Sequence, residues 1–352
     1  MGAITAKSAI LALEQTASVW GTIVAPGAGD LIKAETIGPI LEPRDMVPDP
    51  AAGYAWIETL KAARKNVGPE ISLIPRYEGR FWSHIAQLMG LDTKSGVGDP
   101  YSHVFSLLDA IDGSDNFYSL ALQLGPAAGE LLFEWPSVKP TGFTLEGPNG
   151  QGYMSLALRT IADCVHMGAD CTVTTTNFDS VTHLEVSSAM PAQIPFGALR
   201  FRLNWDAGAL DSGDNLAIKR FALTFNRGFD REWASRGAQA SEWMSAEPIE
   251  NGIPECSLQI ELGDFNALTY MEAHQDETTC KAEAFWSLSA NHDLKIEFPL
   301  LRIQTPEASI NGPNRIPQTL TLVPLLAAAA PTGMTCTNWQ MTLRSPNATA
   351  YE

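Results

Sequence analysis

The sequence has few basic residues for its length and no long apolar run. It contains 23 lysines and arginines against 40 aspartates and glutamates in 352 residues, so the formal net charge is 23 − 40 = −17. Such a surface repels phosphate backbones and disfavours binding to free double-stranded nucleic acid. The most apolar segment, residues 320–331, contains Pro324 and is far too short to span a bilayer. The N-terminus also lacks the charged start of a secretory signal, so we expect neither a membrane partner nor secretion.

Cysteine is scarce, and its spacing matches no known motif. Five cysteines are an odd number, and no two have the C-x-x-C spacing of a zinc site or a redox motif. This usage predicts a reduced compartment and small apolar side chains in the core, rather than a disulfide framework. The five residues are Cys164, Cys171, Cys256, Cys280 and Cys336.

Motifs that carry catalysis or bind metals are also missing. The six histidines are far apart and form no H-E-x-x-H pair, and the chain has neither a G-x-S-x-G elbow nor a G-x-x-x-x-G-K phosphate loop. The acidic clusters at residues 109–115 and 206–214 lack the spacing of a calcium loop and predict exposed turns. The glycine-rich residues 147–152 predict a turn between two strands. The sequence therefore predicts no catalytic residue, no metal site and no cofactor, and a protein that is not an enzyme.

Apolar and polar residues alternate along much of the chain. Residues 221–225, 256–262 and 294–298 show this period of two, which is typical of half-buried strands. The pattern predicts a mainly β fold with antiparallel pairing. Helical periodicity is local, at residues 81–89 and 265–271, and each stretch follows a predicted strand. We therefore expect one short helix on each of two sheets.

Two stretches of the chain are similar to each other. Ile-Lys occurs at residues 32–33 and again at 218–219, an offset of 218 − 32 = 186. Pro-Glu followed by Ser-Leu occurs at residues 69–73 and again at 254–258, an offset of 254 − 69 = 185. A conserved offset with a matching strand-to-helix transition predicts a duplicated unit, and the alternative is a chance match of a few letters.

The order of features along the chain resembles the tail tube (major tail) proteins of long-tailed bacteriophages, particularly the larger family with duplicated tube domains. The resemblance covers most of the chain. The features that carry it are an N-terminal arm at residues 2–24, a strand and Pro/Asp-rich loop at 32–64, a strand and helix at 68–90, a hairpin from 141 onward and a last strand at 343–347.

The resemblance implies a mainly β fold built from two tandem related β-sandwich or half-barrel tube units, each with a short helix packed on its sheet. The expected division is an N-terminal arm at residues 1–30, a first tube-like lobe at 31–200 and a second at 201–352. The arm is expected to order only when rings stack. The chain departs from the family pattern at residues 102–135 and 325–330, which we expect to face outward.

The resemblance also implies a function and a set of partners. The expected function is that of a structural virion protein, a major tail tube subunit that forms stacked rings around a DNA-conducting lumen. It would be located in the virion tail after assembly in the host cytoplasm. Two units per chain favour a homotrimeric ring with pseudo-sixfold symmetry, and a homohexamer stays open. The expected partners are further copies, stacked rings, other tail proteins and viral DNA in transit without specific binding.

Six residues are candidates for the surfaces that this function needs. Phe81, Trp82, Phe265 and Tyr270 are expected in the core or in ring contacts. Gln259 and Glu261 are expected to face the lumen, because they lie on the polar side of a predicted strand. A lumen lined by carboxylates would repel DNA and let it slide.

Two other functions stay open. One is a carbohydrate-binding or hydrolytic β-sandwich of the virion that uses exposed tryptophans against sugar rings. The other is a tail cap or baseplate protein that forms a single ring and no stack.

Overall fold

A computed structural model describes residues 9–15, 19–40, 44–49, 59–65, 68–90, 92–96, 98, 100–108, 117–125, 131–182, 184, 192–205, 207–230, 233–234, 244–245, 247–263, 268–308 and 316–351. The predicted acidic cluster at residues 109–115 and the candidate residue Phe265 lie outside this described part.

The first half of the chain contributes twelve of the described strands and two helices. They are β1 (Ile10–Gln15), β2 (Leu31–Ile32), β3 (Thr36–Gly38), β4 (Arg44–Asp49), β5 (Thr59–Lys65), β6 (Glu70–Leu73), α1 (Trp82–Met89), β7 (Asp92–Ser95), β8 (Tyr101–Ser106), β9 (Tyr118–Leu124), β10 (Leu131–Gly147), β11 (Ser155–Ala162), β12 (His166–Met167) and α2 (Thr175–Asp179).

The second half contributes the remaining described strands and one helix. They are β13 (Leu199–Asn204), β14 (Ile218–Asn226), β15 (Phe229–Asp230), β16 (Trp233–Ala234), β17 (Met244–Ser245), β18 (Ile249–Glu250), β19 (Glu255–Leu262), α3 (Thr269–Gln275), β20 (Thr279–Ser289), β21 (His292–Ala308), β22 (Gln318–Pro324) and β23 (Gln340–Ser345).

The predicted mainly β class is confirmed. Strands make up 51% of the described structure and helices 11%, and the sheets are antiparallel. The alternating stretches used for the prediction fall in β14, β19 and β21. The glycine-rich residues 147–152 lead from β10 into β11, as expected for a turn.

The strand pairing of the first half is repeated in the second. In the first half, the strand order across the sheet is β1-β9-β10-β11-β6-β3. In the second half, the order is β13-β20-β21-β22-β19-β14, again with every pair antiparallel. Helix α1 follows β6, and helix α3 follows β19 at the equivalent place. Hydrogen bonds join the two halves. The expected lobe boundary at residue 200 stays a prediction.

Two strand pairs connect the two repeats, β8 with β23 and β10 with β14. Strand β10 pairs with β11 along residues 138–146, and its opposite edge pairs first with β9 and then with β14. The β14 ladder runs from Gly142 opposite Asn226 to Gly147 opposite Phe221. The sheet therefore passes from the first repeat into the second without interruption.

The main hydrophobic core lies beneath this continuous sheet, and a small second cluster that includes Ala12, Ala121 and Phe178 lies on the other face at β1 and β9. Five directly paired residues on consecutive strands form one buried row across the connection between the repeats. Each is at most 2% exposed, so the repeats share their core rather than enclosing two separate ones. The row is Leu145, Leu223, Leu258, Leu322 and Ile303.

Arg227 connects the second repeat to the first through hydrogen bonds of its side chain. Its side chain is fully buried, and its Nε donates to Glu250 Oε1 at 2.8 Å. Its Nη1 and Nη2 donate to the carbonyl oxygens of Leu88 and Leu108 at 3.2 and 2.9 Å. Leu88 lies in the last turn of α1, where unpaired carbonyls attract a cation.

The expectation that the N-terminal arm orders only on ring stacking is wrong for residues 10–15. These residues form β1, which pairs with β9 along its whole length and with β2. Leu11, Ala12 and Leu13 are 4%, 0% and 0% exposed, so both faces of this strand are covered. The stretch is too short to fold alone, but two neighbouring strands complete its hydrogen bonds.

Helix α1 is buried on every side, and His84 is its most unusual residue. The imidazole is 0% exposed. Its Nδ1 lies 2.9 Å from Tyr118 Oη and its Nε2 lies 3.3 Å from the carbonyl oxygen of Gly142. Burial lowers the pKa of His84 from 6.5 to about 4, because the charged form loses its hydration.

This burial predicts a loss of stability in acid. Between pH 6.5 and 4 the unfolded chain protonates His84 while the folded chain does not, so the unfolded state binds more protons and stability falls as the pH falls. The full effect of His84 is about 3 kcal/mol. Urea unfolding at a series of pH values measures it. In His84→Gln, which does not titrate, the decrease over this range should be smaller by about that amount, and an equal decrease in both proteins would contradict the assignment.

Candidate assembly surface

At the strands where the two repeats meet, the face of the continuous sheet opposite the core is polar. A row of paired residues crosses it next to the buried row, and a second row lies two residues further along the strands. The first row is Ser155, Glu146, Ala222, Gln259, Thr321 and Thr305. The second row is Arg220, Glu261, Thr319 and Glu307. We call these ten residues the polar face.

The polar face carries more negative than positive charge. It has three carboxylates and one guanidinium, and that guanidinium, of Arg220, lies 3.0 Å from Glu146 Oε2. Both side chains are about half exposed, so this ion pair adds little to stability. The two remaining carboxylates, of Glu261 and Glu307, leave a net negative potential along this side of β19 and β21.

Both predicted lumen residues belong to the polar face. Gln259 is opposite Ala222 on one side and Thr321 on the other. Glu261 is opposite Arg220 and Thr319. Their half-buried side chains alternate with those of Leu258 and Ile260, which are fully buried. The period of two in the sequence therefore identified the correct side of β19, and their role in a lumen stays a prediction.

The two ends of the continuous sheet present backbone edges. In the second repeat, β14 has β19 on one edge and β10 on the other. Its counterpart β3 pairs with β6, and in the described part of the chain no strand pairs with its opposite edge. Likewise, residues 304–308 of β21 pair with β22, and no described strand covers their other edge. The edges of β10 and β14 pair with each other where the repeats meet. The corresponding edges of β21 and β3 are thus not covered by any described strand.

The predicted core or ring-contact residues divide into three cases. Phe81 and Trp82 are 5% and 1% exposed and pack in the core, where Trp82 stacks on Phe105 at 5.7 Å between ring centroids. Tyr270 is half-buried on α3 and packs against Trp205 at 6.4 Å. Phe265 lies outside the described residues.

The structure contains three histidine–carboxylate contacts that the sequence did not predict. His103 Nδ1 lies 3.0 Å from Asp92 Oδ2, His166 Nδ1 lies 2.8 Å from Glu134 Oε1, and His292 Nε2 lies 2.9 Å from Glu78 Oε1. The partners in two of these pairs are 32 and 214 residues apart in sequence, so no local spacing reveals them.

The described residues offer no metal site. No three His, Cys, Asp or Glu side chains among them are placed to share an ion. The five cysteines are free thiols, and three of them are buried, in line with their expected place in the core.

An open cleft of about 960 Å³ lies at one end of the sheet, beside the polar face. It is lined by Arg159 and Glu255, and by Ile253 and Leu326, which are 88% and 69% exposed. Charges of both signs and apolar side chains share its walls, so the cleft is not selective for one charge.

The two sides of β19 predict opposite responses to truncation. Ile260→Ala removes a fully buried side chain and should lower the free energy of unfolding by about 2–5 kcal/mol. The neighbouring Gln259→Ala lies on the polar face and should change it by no more than about 0.5 kcal/mol. Urea unfolding of both variants provides the measurement. Equal losses would contradict the assignment of the two sides.

Every helix in the described part of the chain falls short of the length and apolar character that crossing a membrane requires. Neither the known protein families nor the curated proteins contain a match to this sequence.

Proposed function

We propose that this protein is a tail tube subunit of a long-tailed bacteriophage, which forms stacked rings around a lumen that conducts DNA. The observation that carries the proposal is the pairing of β10 with β14, together with the uncovered counterparts of those two edges. The chain makes the β10–β14 contact once internally. The same kind of contact between the end of β21 in one copy and β3 in the next would extend the sheet from chain to chain.

Head-to-tail pairing of this kind is heterologous, so it generates a ring when the rotation per unit closes. Since each chain carries two repeats, three chains supply six. Closure removes the exposed edges, which otherwise invite uncontrolled association. These considerations favour a homotrimeric ring with pseudo-sixfold symmetry.

The polar face supports a DNA-conducting lumen. Its excess of carboxylates, set by Glu261 and Glu307, would repel a passing phosphate backbone. The saccharide-binding alternative has less support, because it requires exposed tryptophans. Of the tryptophans whose side chains the structure describes, none is exposed.

The first test is whether the protein assembles through these edges. We expect rings or hollow stacked tubes in negative-stain electron microscopy, and a solution mass that is a multiple of three chains. Hydrogen exchange of the dispersed and assembled protein then identifies the contact. In residues 36–38, 304–305 and 307–308, the amides that point away from β6 and β22 should gain protection on assembly, because they acquire hydrogen-bond partners. Pro306 has no N–H and gives no signal.

The β10–β14 ladder provides the internal control, since residues 142–147 and 221–226 are already paired in one chain. A stable monomer at high concentration would contradict the proposed function and make a saccharide screen the next step. Assembly without new protection at residues 36–38 and 304–308 would overturn the proposed contact between β21 and β3, but not the proposed function. A single ring that never stacks would favour a cap or baseplate protein.

The lumen assignment predicts the effect of reversing charge on the polar face. Assembled wild-type protein should not retain a DNA oligonucleotide. The double variant Glu261→Lys, Glu307→Lys should bind it with an affinity that falls as salt concentration rises, because lysines release counterions from phosphates. Fluorescence anisotropy across a salt series measures this.

The matched control, Glu272→Lys with Asp276→Lys, makes the same charge change at two exposed residues, one on α3 and one that caps its C-terminus. Equal DNA binding by the two double variants would contradict the assignment of the polar face to the lumen.

A further inference from the structure

The three residues Cys164, His166 and Glu134 form a connected chain of contacts that the proposed function does not use. Cys164 Sγ lies 3.4 Å from His166 Nε2, and His166 Nδ1 lies 2.8 Å from Glu134 Oε1. The second oxygen of Glu134 accepts hydrogen bonds from the backbone N–H groups of Thr172 and Val173 at 2.8 and 2.9 Å. The carboxylate is 0% exposed, so these donors hold it in place.

The fold brings the three residues together from two strands. Glu134 and His166 are directly opposite each other in the β10–β12 pair. Cys164 precedes His166 by two residues, a separation that places both side chains on the same side of an extended chain. The sequence alone did not reveal the site, because Glu134 is 32 residues away from His166.

The contacts determine which ring nitrogen of His166 can act as a base toward the sulfur of Cys164. A carboxylate oxygen only accepts hydrogen bonds, so Nδ1 of His166 carries the proton that it donates to Glu134. In the neutral imidazole, Nε2 is then a proton acceptor directed at Cys164. A nucleophile, a base and a group that orients the base, each within hydrogen-bond reach of the next, is the arrangement that activates thiols.

From this geometry we propose that Cys164 is an activated thiol and a site of covalent modification by small soft electrophiles. His166 Nε2 takes the thiol proton, the sulfur lone pair forms a bond to the electrophilic carbon, and the leaving group departs with its bonding electrons. With a haloacetamide the products are a thioether, a halide ion and an imidazolium. Glu134 acts as a positioning residue that stabilises the imidazolium.

The surroundings of the thiol fit this role. The Asp163 carboxyl also contacts the Cys164 side chain, and burial raises the pKa of Asp163 above its ordinary value. Cys164 is 3% exposed, while the side chain of His166 is 37% exposed. Reagents therefore approach from the side of the imidazole, and the site admits only small ones.

Cys280 is the matched comparison within the same molecule. It is 4% exposed, and among its described contacts there is no imidazole. Burial raises the pKa of the Cys280 thiol to about 12, so it stays protonated at neutral pH. A difference in reactivity between the two cysteines thus reports the partner of the thiol rather than its exposure.

The experiment is labelling of the full-length folded protein with iodoacetamide at pH 7, followed by peptide mass spectrometry to obtain the rate at each cysteine. We expect Cys164 to react at least roughly tenfold faster than Cys280, because the Cys280 thiol has no base beside it among its described contacts and its raised pKa keeps it protonated at this pH. In His166→Gln the ratio of the two rates should fall to about 1, and in Glu134→Gln it should take an intermediate value. His274→Gln, a variant in α3, should leave the ratio unchanged.

The two absolute rates separate loss of activation from unfolding. Loss of the base lowers the rate at Cys164 and leaves the rate at Cys280 unchanged, whereas global unfolding brings the ratio toward 1 by raising the rate at Cys280. Should either variant at the site fail to fold, the ratio in the other and in the wild-type protein still decides the question. Equal rates at Cys164 and Cys280 in the wild-type protein would overturn the proposal. The proposal would also be overturned if the ratio of the two labelling rates in His166→Gln were the same as in the wild-type protein.

Discussion

The fold depends on how one long strand, β10, changes its partner along one edge. Its first half pairs with β9 and its second half with β14, while β11 follows most of the opposite edge. The change of partner coincides with irregular register between Trp135 and Val138 and between Pro140 and Gly142. Prolines 136 and 140 lie within this interval, where a missing N–H costs fewer ladder bonds than in a regular strand.

Gly142 is essential at this point for a steric reason. A Cβ at this position would lie 2.6 Å from the carbonyl oxygen of Phe225 in β14. The same residue accepts the hydrogen bond from His84 through its own carbonyl oxygen. One glycine thus lets the second repeat approach and connects the buried helix α1 to that contact, so the sheet, the helix and the shared core are mutually dependent.

The sequence predicted what local periodicity determines. Alternation identified β14, β19 and β21 and the polar side of β19, because a half-buried strand requires it whatever its neighbours are. It did not predict that β1 joins the sheet, since six residues carry too little signal to distinguish an arm from a strand. The expectation that residues 102–135 face outward was also wrong, because they include β9, a buried strand between β1 and β10. The contacts of Arg227 and of the Cys164–His166–Glu134 site were also missed. Each depends on residues that only the strand order brings together.

The proposed assembly must work against the charge of the chain. Copies with a net charge of −17 repel each other, although salt limits this repulsion to about 8 Å under physiological conditions. Backbone edges are suited to this situation, because N–H and C=O groups carry no net charge and become satisfied only on pairing. Carboxylates such as Glu261 can then stay on the face of the sheet, away from the edge that joins the copies. In the proposed tube, the geometry of the strand separates two kinds of contact: the backbone groups that would bind subunits lie along its edges, and the carboxylates that would repel DNA lie on its face.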